Sequence, residues 1–67
     1  MPGYDVRVFR AGNTTPTADS CDSFEADNDG IAQERMLGFA LSVPLGDRVE
    51  LYRWGIVLPV ATAAGRA

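Results

Sequence analysis

Alternation of apolar and polar residues predicts two strands. In "YDVRVFR", residues 4–10, one face carries Tyr4, Val6 and Val8 and the other carries Asp5, Arg7 and Phe9. In "RVELYRW", residues 48–54, one face carries Val49, Leu51 and Arg53 and the other carries Arg48, Glu50, Tyr52 and Trp54. A period of two residues is typical of a strand that has one face against a core, so we predict that both segments lie in a sheet.

Two weaker strands are predicted beside these. The segment "SCDSFEA", residues 20–26, follows the turn-forming run "AGNTTPTAD" and is expected to pair back on the first strand as an edge. The segment "IVLPV", residues 56–60, follows Gly55. Pro59 has no backbone N–H to donate, so this segment is expected at an edge or a strand end. Residues 61–67, "ATAAGRA", are predicted to form a frayed tail.

From Asn28 the apolar spacing changes to three and four residues, which predicts a helix. The predicted buried stripe is Ala32, Met36, Phe39, Ala40 and Val43. Pro44 disfavours helical geometry at Val43, so the helix should end near Leu41 or Ser42. Gly38 is predicted to let a strand approach the helix closely, and the pattern leaves open whether Leu37 and Leu41 are buried.

Together these elements predict one α+β domain over residues 1–67, with the order strand, strand, helix, strand, strand. One helix would pack on one face of a small antiparallel sheet. A core of this size is small, so self-association or a partner is expected to add to its stability.

The acidic stretch "FEADNDGIAQERM", residues 24–36, allows two interpretations. As a calcium loop beginning at Glu25, it would need a bidentate Glu at its twelfth position, and that position is Met36. As a helix start, Asp27 or Asn28 would cap the helix and the neighbouring acids would favour the positive end of its dipole. The second interpretation fits more of the residues, and no metal or cofactor is expected.

Charge argues against direct nucleic-acid binding. The formal net charge is -3, the pI is about 4.5, and Arg is the only basic residue type. Residues 19–34 hold six acids and no base, namely Asp19, Asp22, Glu25, Asp27, Asp29 and Glu34. Binding to a phosphate backbone needs a basic surface, so neither DNA nor RNA is an expected partner.

Catalysis is also not expected. His and Lys are absent, which removes the usual general bases and the amine nucleophile. The single cysteine, Cys21, lies beside Asp22, whose charge disfavours a reactive thiolate. One cysteine fits a reducing compartment, and the apolar run "WGIVLPVATAAG" is shorter than the roughly 20 residues that cross a bilayer. We therefore expect a cytoplasmic protein without a membrane partner.

The segment "SFEADNDGIAQERMLGFALSVPLGDRVELYRWGIVL" resembles a recurrent type of short bacterial protein found in high-GC genomes. The shared pattern is an F-x-A-D-x-D entry to a helix with a Glu-Arg pair, followed by a V-E-L-Y/W-R-x-G strand. Matching positions are Phe24, Ala26, Asp27, Glu34, Arg35, Val49, Glu50, Leu51, Tyr52, Arg53 and Gly55. The resemblance covers about half of the chain and implies the fold rather than an activity.

The longer loop "GNTTPTADSCDS" departs from that pattern. A small acidic sheet with one helix is also similar, at the level of the fold, to anti-CRISPR proteins, which are phage-encoded inhibitors of bacterial defence systems.

These observations favour a non-enzymatic protein-binding module, an adaptor or inhibitor that occupies a partner's surface. The expected contacts are Arg48, Tyr52, Arg53 and Trp54, together with the acids Asp19, Asp22, Glu25, Asp27 and Asp29. The acids would meet a basic surface, such as one that normally holds nucleic acid. The alternative is a structural or assembly subunit, a homo-oligomer or virion component, that buries Leu37, Leu41 and the edge near Pro59 between copies.

Overall fold

A computed structural model describes the whole chain, residues 1–67. In chain order the elements are β1 (Gly3–Phe9), β2 (Ser20–Glu25), α1 (Asp29–Ala40), β3 (Arg48–Arg53) and β4 (Ala61–Ala64). The strands form one antiparallel sheet in the order β2-β1-β3-β4. The helix packs on one face of this sheet, which confirms the predicted α+β fold. No helix has the length and apolar character needed to span a bilayer.

The core lies between α1 and the two central strands. Its cluster of nine buried residues is Tyr4, Val6, Ala26, Ala32, Met36, Ala40, Val43, Val49 and Leu51. The predicted alternation holds in β1 and β3, because Val6 pairs with Leu51 and Val8 pairs with Val49 on the helix side. The register therefore places every large aliphatic residue of β3 beneath the helix.

The helix begins at Asp29, and its cap is Asn28, one of the two residues predicted for that role. The Asn28 backbone is extended, with φ -157°, and its side-chain oxygen accepts the N–H of Ile31 at 2.9 Å. This satisfies one of the unpaired donors of the first turn. Ala32, Met36 and Ala40 are buried, as the spacing of the apolar residues predicts.

Gly38 does not contact a strand, so that prediction is wrong. A Cβ built at Gly38 would meet nothing within 4 Å. Each helical residue turns by about 100°, so Gly38 lies on the far side of the helix from Met36. The same geometry leaves Leu37 and Leu41 exposed, at 45% and 66%.

The fourth strand lies at Ala61–Ala64 and not at residues 56–60 as predicted. The chain turns at Gly55, which has φ +85°, and Ile56, Val57 and Leu58 remain exposed in the connecting loop. Pairing with β3 begins where the N–H of Val60 donates to the carbonyl of Leu51 at 2.7 Å. The apolar side chains of the loop are therefore not part of the sheet.

Residues 65–67, part of the predicted frayed tail, form backbone hydrogen bonds to the body of the domain. The N–H groups of Gly65, Arg66 and Ala67 donate to the carbonyls of Asp47, Ala40 and Val43, each at 2.9 Å. Ala40 is the last residue of α1, and its carbonyl accepts the N–H of Val43 at 3.2 Å as well as that of Arg66. Strand β4 and the tail together close the end of the helix.

Candidate binding surface

The face of the sheet opposite α1 is not covered by a second layer. We call the part of this face that lies on β1 and β3 the open face, and it consists of Asp5, Arg7 and Phe9 of β1, Arg48, Glu50 and Tyr52 of β3, and Trp54 just after β3. Neighbouring strands pair Asp5 with Tyr52, Arg7 with Glu50 and Phe9 with Arg48. Charged and aromatic side chains therefore alternate across two adjacent strands.

Two arginines stack on aromatic rings of this face. The guanidinium carbon of Arg7 lies 4.0 Å from the ring centre of Tyr52, and that of Arg48 lies 4.2 Å from the ring centre of Phe9. A cation over an aromatic face is attracted by the ring quadrupole and is worth about 0.5–1 kcal/mol at exposed sites. Phe9 is buried at 2% exposure although it lies outside the core cluster, because Arg48 covers it.

Glu50 joins these side chains into one network. Its carboxylate accepts the hydroxyl of Tyr52 at 2.7 Å and the Nε–H of Arg48 at 3.0 Å. Partial burial raises the pKa of Glu50, but the hydrogen bonds from Tyr52 and Arg48 outweigh it and hold the pKa below its ordinary value. The bond to Glu50 raises the pKa of Tyr52, so Tyr52 remains a neutral donor at physiological pH.

Trp54 is fixed at the end of the open face by Asp5 and Gly3. The indole N–H donates to Asp5 Oδ1 at 2.8 Å, and the Ser23 hydroxyl donates to the same oxygen at 2.7 Å. A Cβ built on Gly3 would overlap the six-membered ring of Trp54, so the ring lies directly on the Gly3 backbone. Even so, 56% of Trp54 is exposed. An aromatic side chain is thus held in one position while much of its surface faces solvent.

Acid is expected to weaken the hydrogen bond that holds the Trp54 indole. The Trp54 hydrogen bond lowers the pKa of Asp5, with smaller contributions from Ser23 and Arg7 that act against partial burial. Because the folded pKa lies below the unfolded value of about 3.9, Asp5 stabilises the fold above that pH. The contribution is lost as the pH falls through the folded pKa. The indole ¹H–¹⁵N resonance of Trp54 should therefore shift in that acidic range.

The matched control for this titration is Asp5→Asn. The Asn amide oxygen still accepts the indole N–H but does not titrate, so its indole resonance should not follow this step. Asp5→Ala removes the acceptor, so its indole resonance should differ from that of the parent protein already at neutral pH. The titration should cover the acidic range in which the far-ultraviolet circular dichroism shows that the parent protein is still folded. If its indole resonance does not change in that range, Asp5 does not hold the indole as described.

The four contacts predicted in and just after β3 lie on two different faces of the sheet. Arg48, Tyr52 and Trp54 lie together on the open face, whereas Arg53 lies on the helix side and pairs with Asp29 at 3.3 Å. The same Asp29 oxygen accepts the hydroxyl of Tyr4. Arg53 and Asp29 therefore tie the start of α1 to the sheet and do not extend the Trp54 surface.

The remaining predicted acids lie on the edge strand β2 or in the segments just before and after it. Asp19 accepts the backbone N–H of Arg10 at 2.8 Å and the side-chain amide of Asn13 at 3.0 Å. These bonds lower the pKa of Asp19 and hold the loop that precedes β2. Asp22 and Glu25 are exposed on β2, and Asp27 is exposed before α1.

Glu50 of β3 is absent from the contacts predicted by sequence, and so are three open-face residues of β1, namely Asp5, Arg7 and Phe9. Alternation in the first strand already placed them on the face away from Tyr4 and Val6. What the pattern lacked was the strand order, since only direct pairing of β1 with β3 brings Arg7 beside Tyr52.

The residues considered for a metal site and for a nucleophile lie apart in the structure. No group of three or more Cys, Asp or Glu side chains is placed to hold a metal ion, and Met36 of the calcium-loop interpretation is buried in the core. Partial burial and the Asp5 carboxylate raise the pKa of the exposed Cys21 thiol, which disfavours the nucleophilic thiolate.

The largest cleft, at the end of the sheet near Val8 and Pro44, holds the carboxylates of Asp19 and Asp47. Each already accepts a backbone N–H, from Arg10 and Ala11 respectively. These carboxylates therefore stabilise loops.

Comparison with protein-family models, with curated proteins and with solved structures gives no match for this chain. The resemblance to short bacterial proteins and the similarity to anti-CRISPR proteins therefore stay predictions.

Proposed function

We propose that this protein is a non-enzymatic binding module, an adaptor or inhibitor that occupies the surface of a partner protein with its open face. The observation that carries the proposal is the side chain of Trp54, which is more than half exposed but held by Asp5 and Gly3 on the same face as Arg48 and Tyr52. Trp, Tyr and Arg are the residues enriched at the energetic centres of protein interfaces.

Preorganisation supports this use of the open face. Ordering a flexible side chain on binding costs about 0.5–1.5 kcal/mol. Tyr52 and Arg48 are already hydrogen-bonded to Glu50, and Trp54 is hydrogen-bonded to Asp5. Binding would therefore order these side chains little further. A rigid aromatic and cationic surface of this kind suits a binding role better than a purely structural one.

The acids define the class of partner. Asp22, Glu25 and Asp27 are exposed and form no ion pair within the chain. Their charge would steer association with a basic surface. We extend the proposal to an inhibitor of a complex that binds nucleic acid, because such a complex presents the basic surface that these acids would meet.

Capture from a bacterial lysate tests the proposal. Tagged protein should retain a partner, and Trp54→Ala should weaken binding of the purified partner about thirtyfold or more, the loss typical of an interface hot spot. Gly3→Ala keeps the indole but displaces its ring, so it should weaken the same interaction.

Leu45→Ala is the matched control, since Leu45 is a 74% exposed apolar residue outside the open face. It should leave binding unchanged. Recovery of no partner would contradict the proposal, and so would equal losses with Trp54→Ala and Leu45→Ala.

Exposed leucines favour a second candidate function, that of an assembly subunit. Leu37 and Leu41 lie on one flank of α1 and are exposed, and burial of such side chains between copies would stabilise an oligomer. The melting temperature should then fall on dilution over about a hundredfold range of concentration. A monomer of constant mass by light scattering would exclude this candidate.

A further inference from the structure

Strand β2 has an unpaired outer edge. It pairs only with β1, and five of its six residues are exposed. The N–H of Ala26 donates to the carbonyl of Pro2, and residues of an antiparallel ladder alternate in direction. Cys21, Ser23 and Glu25 therefore direct their backbone N–H and C=O groups away from the sheet.

The other edge of the sheet is less suited to pairing with a partner. Strand β4 has only four residues, begins just after Pro59, and is followed by a tail that turns under α1. Strand β2 is longer and contains neither Pro nor Gly, so it is the better template for an added strand.

Strand β2 itself carries charges of one sign, and the guanidinium carbon of Arg35 lies 4.7 Å from the ring centre of its Phe24 without forming an ion pair. The carboxylates of Asp22, Glu25 and Asp27 have no hydrogen bond or ion pair within the protein, whose three ion pairs lie elsewhere. No basic residue occurs between Arg10 and Arg35. An added strand would meet unpaired backbone groups and uncompensated negative charge at the same place.

We propose that β2 accepts an extended basic segment of a partner protein as a fifth strand. The segment would pair its backbone with Cys21, Ser23 and Glu25 and place Arg or Lys side chains beside Asp22 and Glu25. This proposal rests on the proposed function, because it names the class of segment that the module binds. Main-chain pairing supplies affinity in such strand addition, and the side chains supply specificity.

The two carboxylates fix the spacing of the cations. Asp22 pairs with Val6 and so lies on the helix side, whereas Glu25 pairs with Gly3 and lies on the open-face side. Cations three residues apart on an extended segment would reach both. A second copy of the chain fits poorly, because it would bring its own Asp22 and Glu25 to the same seam, and like charges in adjacent strands are destabilising.

A synthetic peptide, acetyl-Thr-Arg-Val-Thr-Arg-Val-Thr-amide, tests the proposal by nuclear magnetic resonance titration. The amide resonances of Cys21, Ser23 and Glu25 should shift on binding. The double variant Asp22→Asn, Glu25→Gln should weaken binding roughly three- to tenfold, as expected for two cross-strand charge pairs. Glu34→Gln, which removes a charge from the exposed side of α1, is the matched control and should leave the affinity unchanged.

N-methylation of the peptide at its sheet-facing amides separates strand addition from simple charge attraction. The methylated peptide keeps both arginines, so equal affinity would overturn the proposal. Shifts confined to residues outside β2, or a dimer whose interface is β2, would also overturn it. Arg48→Ala, at the end of the open face away from Glu25, should leave peptide binding intact, so a failure of the β2 edge and a failure of the open face would be seen separately.

Discussion

Leu51→Ala is expected to leave a substantial fraction of the protein unfolded at ambient temperature. Leu51 is fully buried beneath the helix, between Val6 of β1 and Ala61 of β4. Truncating a buried leucine costs about 2–5 kcal/mol. A domain of this length has only about 3–10 kcal/mol of stability in total, at roughly 0.05–0.15 kcal/mol per residue. Urea denaturation followed by circular dichroism measures the loss.

Val57→Ala is the control for this substitution. Val57 is 88% exposed in the loop before β4, and surface changes of this kind usually stay within about 0.5 kcal/mol. If Leu51→Ala and Val57→Ala unfolded at similar urea concentrations, the core would not lie between α1 and β3 as described.

Gly65→Ala is expected to destabilise the protein by about 1–3 kcal/mol, the range for inserting a methyl group into a packed region. A Cβ on Gly65 would overlap the backbone carbonyls of Pro44 and Val43. Backbone atoms cannot rotate away as a side chain can, so the tail must move and its bonds to Ala40 and Asp47 weaken. The free energy of unfolding from a urea titration measures the effect.

Gly38→Ala is the matched control, since it is the same substitution at a glycine with open space around it. Alanine is favoured over glycine in a helix interior by about 0.5–1 kcal/mol, so Gly38→Ala should stabilise the protein. The free energy of unfolding should therefore fall with Gly65→Ala and rise with Gly38→Ala. A neutral Gly65→Ala would mean that the tail does not pack against Pro44.

Periodicity in the sequence was sufficient to predict most of the fold. The two central strands alternate strictly because one face of each meets the helix, and the helix repeats at three and four residues because one stripe meets the sheet. Asn28 was predictable as a cap because a short polar side chain at that place satisfies a free amide. These features depend on residues near one another in the chain.

The fourth strand and the tail were missed because they depend on distant residues. Alanine is depleted in strands, and "ATAA" pairs with β3 through backbone bonds to Val49 and Leu51 rather than through its own preferences. The apolar loop Ile56 to Leu58 has stronger strand character but remains exposed. The order of residues 65–67 similarly rests on carbonyls of α1 and the turn after it.

The positions of the predicted contact residues could be foreseen in part for the same reason. Alternation put Arg48, Tyr52 and Trp54 on one face, and all three lie on that face in the structure. The same alternation put Arg53 on the other face, where its pairing with Asp29 could not be foreseen without the position of the helix. Whether the three open-face residues bind a partner stays a prediction.

The position of β1 at the centre of the sheet has a kinetic consequence. Its pairing with β2 closes a short loop, but its pairing with β3 must wait until residues far along the chain return to it. Closing long loops before many contacts form slows folding. The hairpin of β1 and β2 can form early, yet its apolar side stays uncovered until α1 and β3 arrive. Refolding should therefore be slower than for helical domains of this size, and aggregation during refolding should begin from that uncovered hairpin.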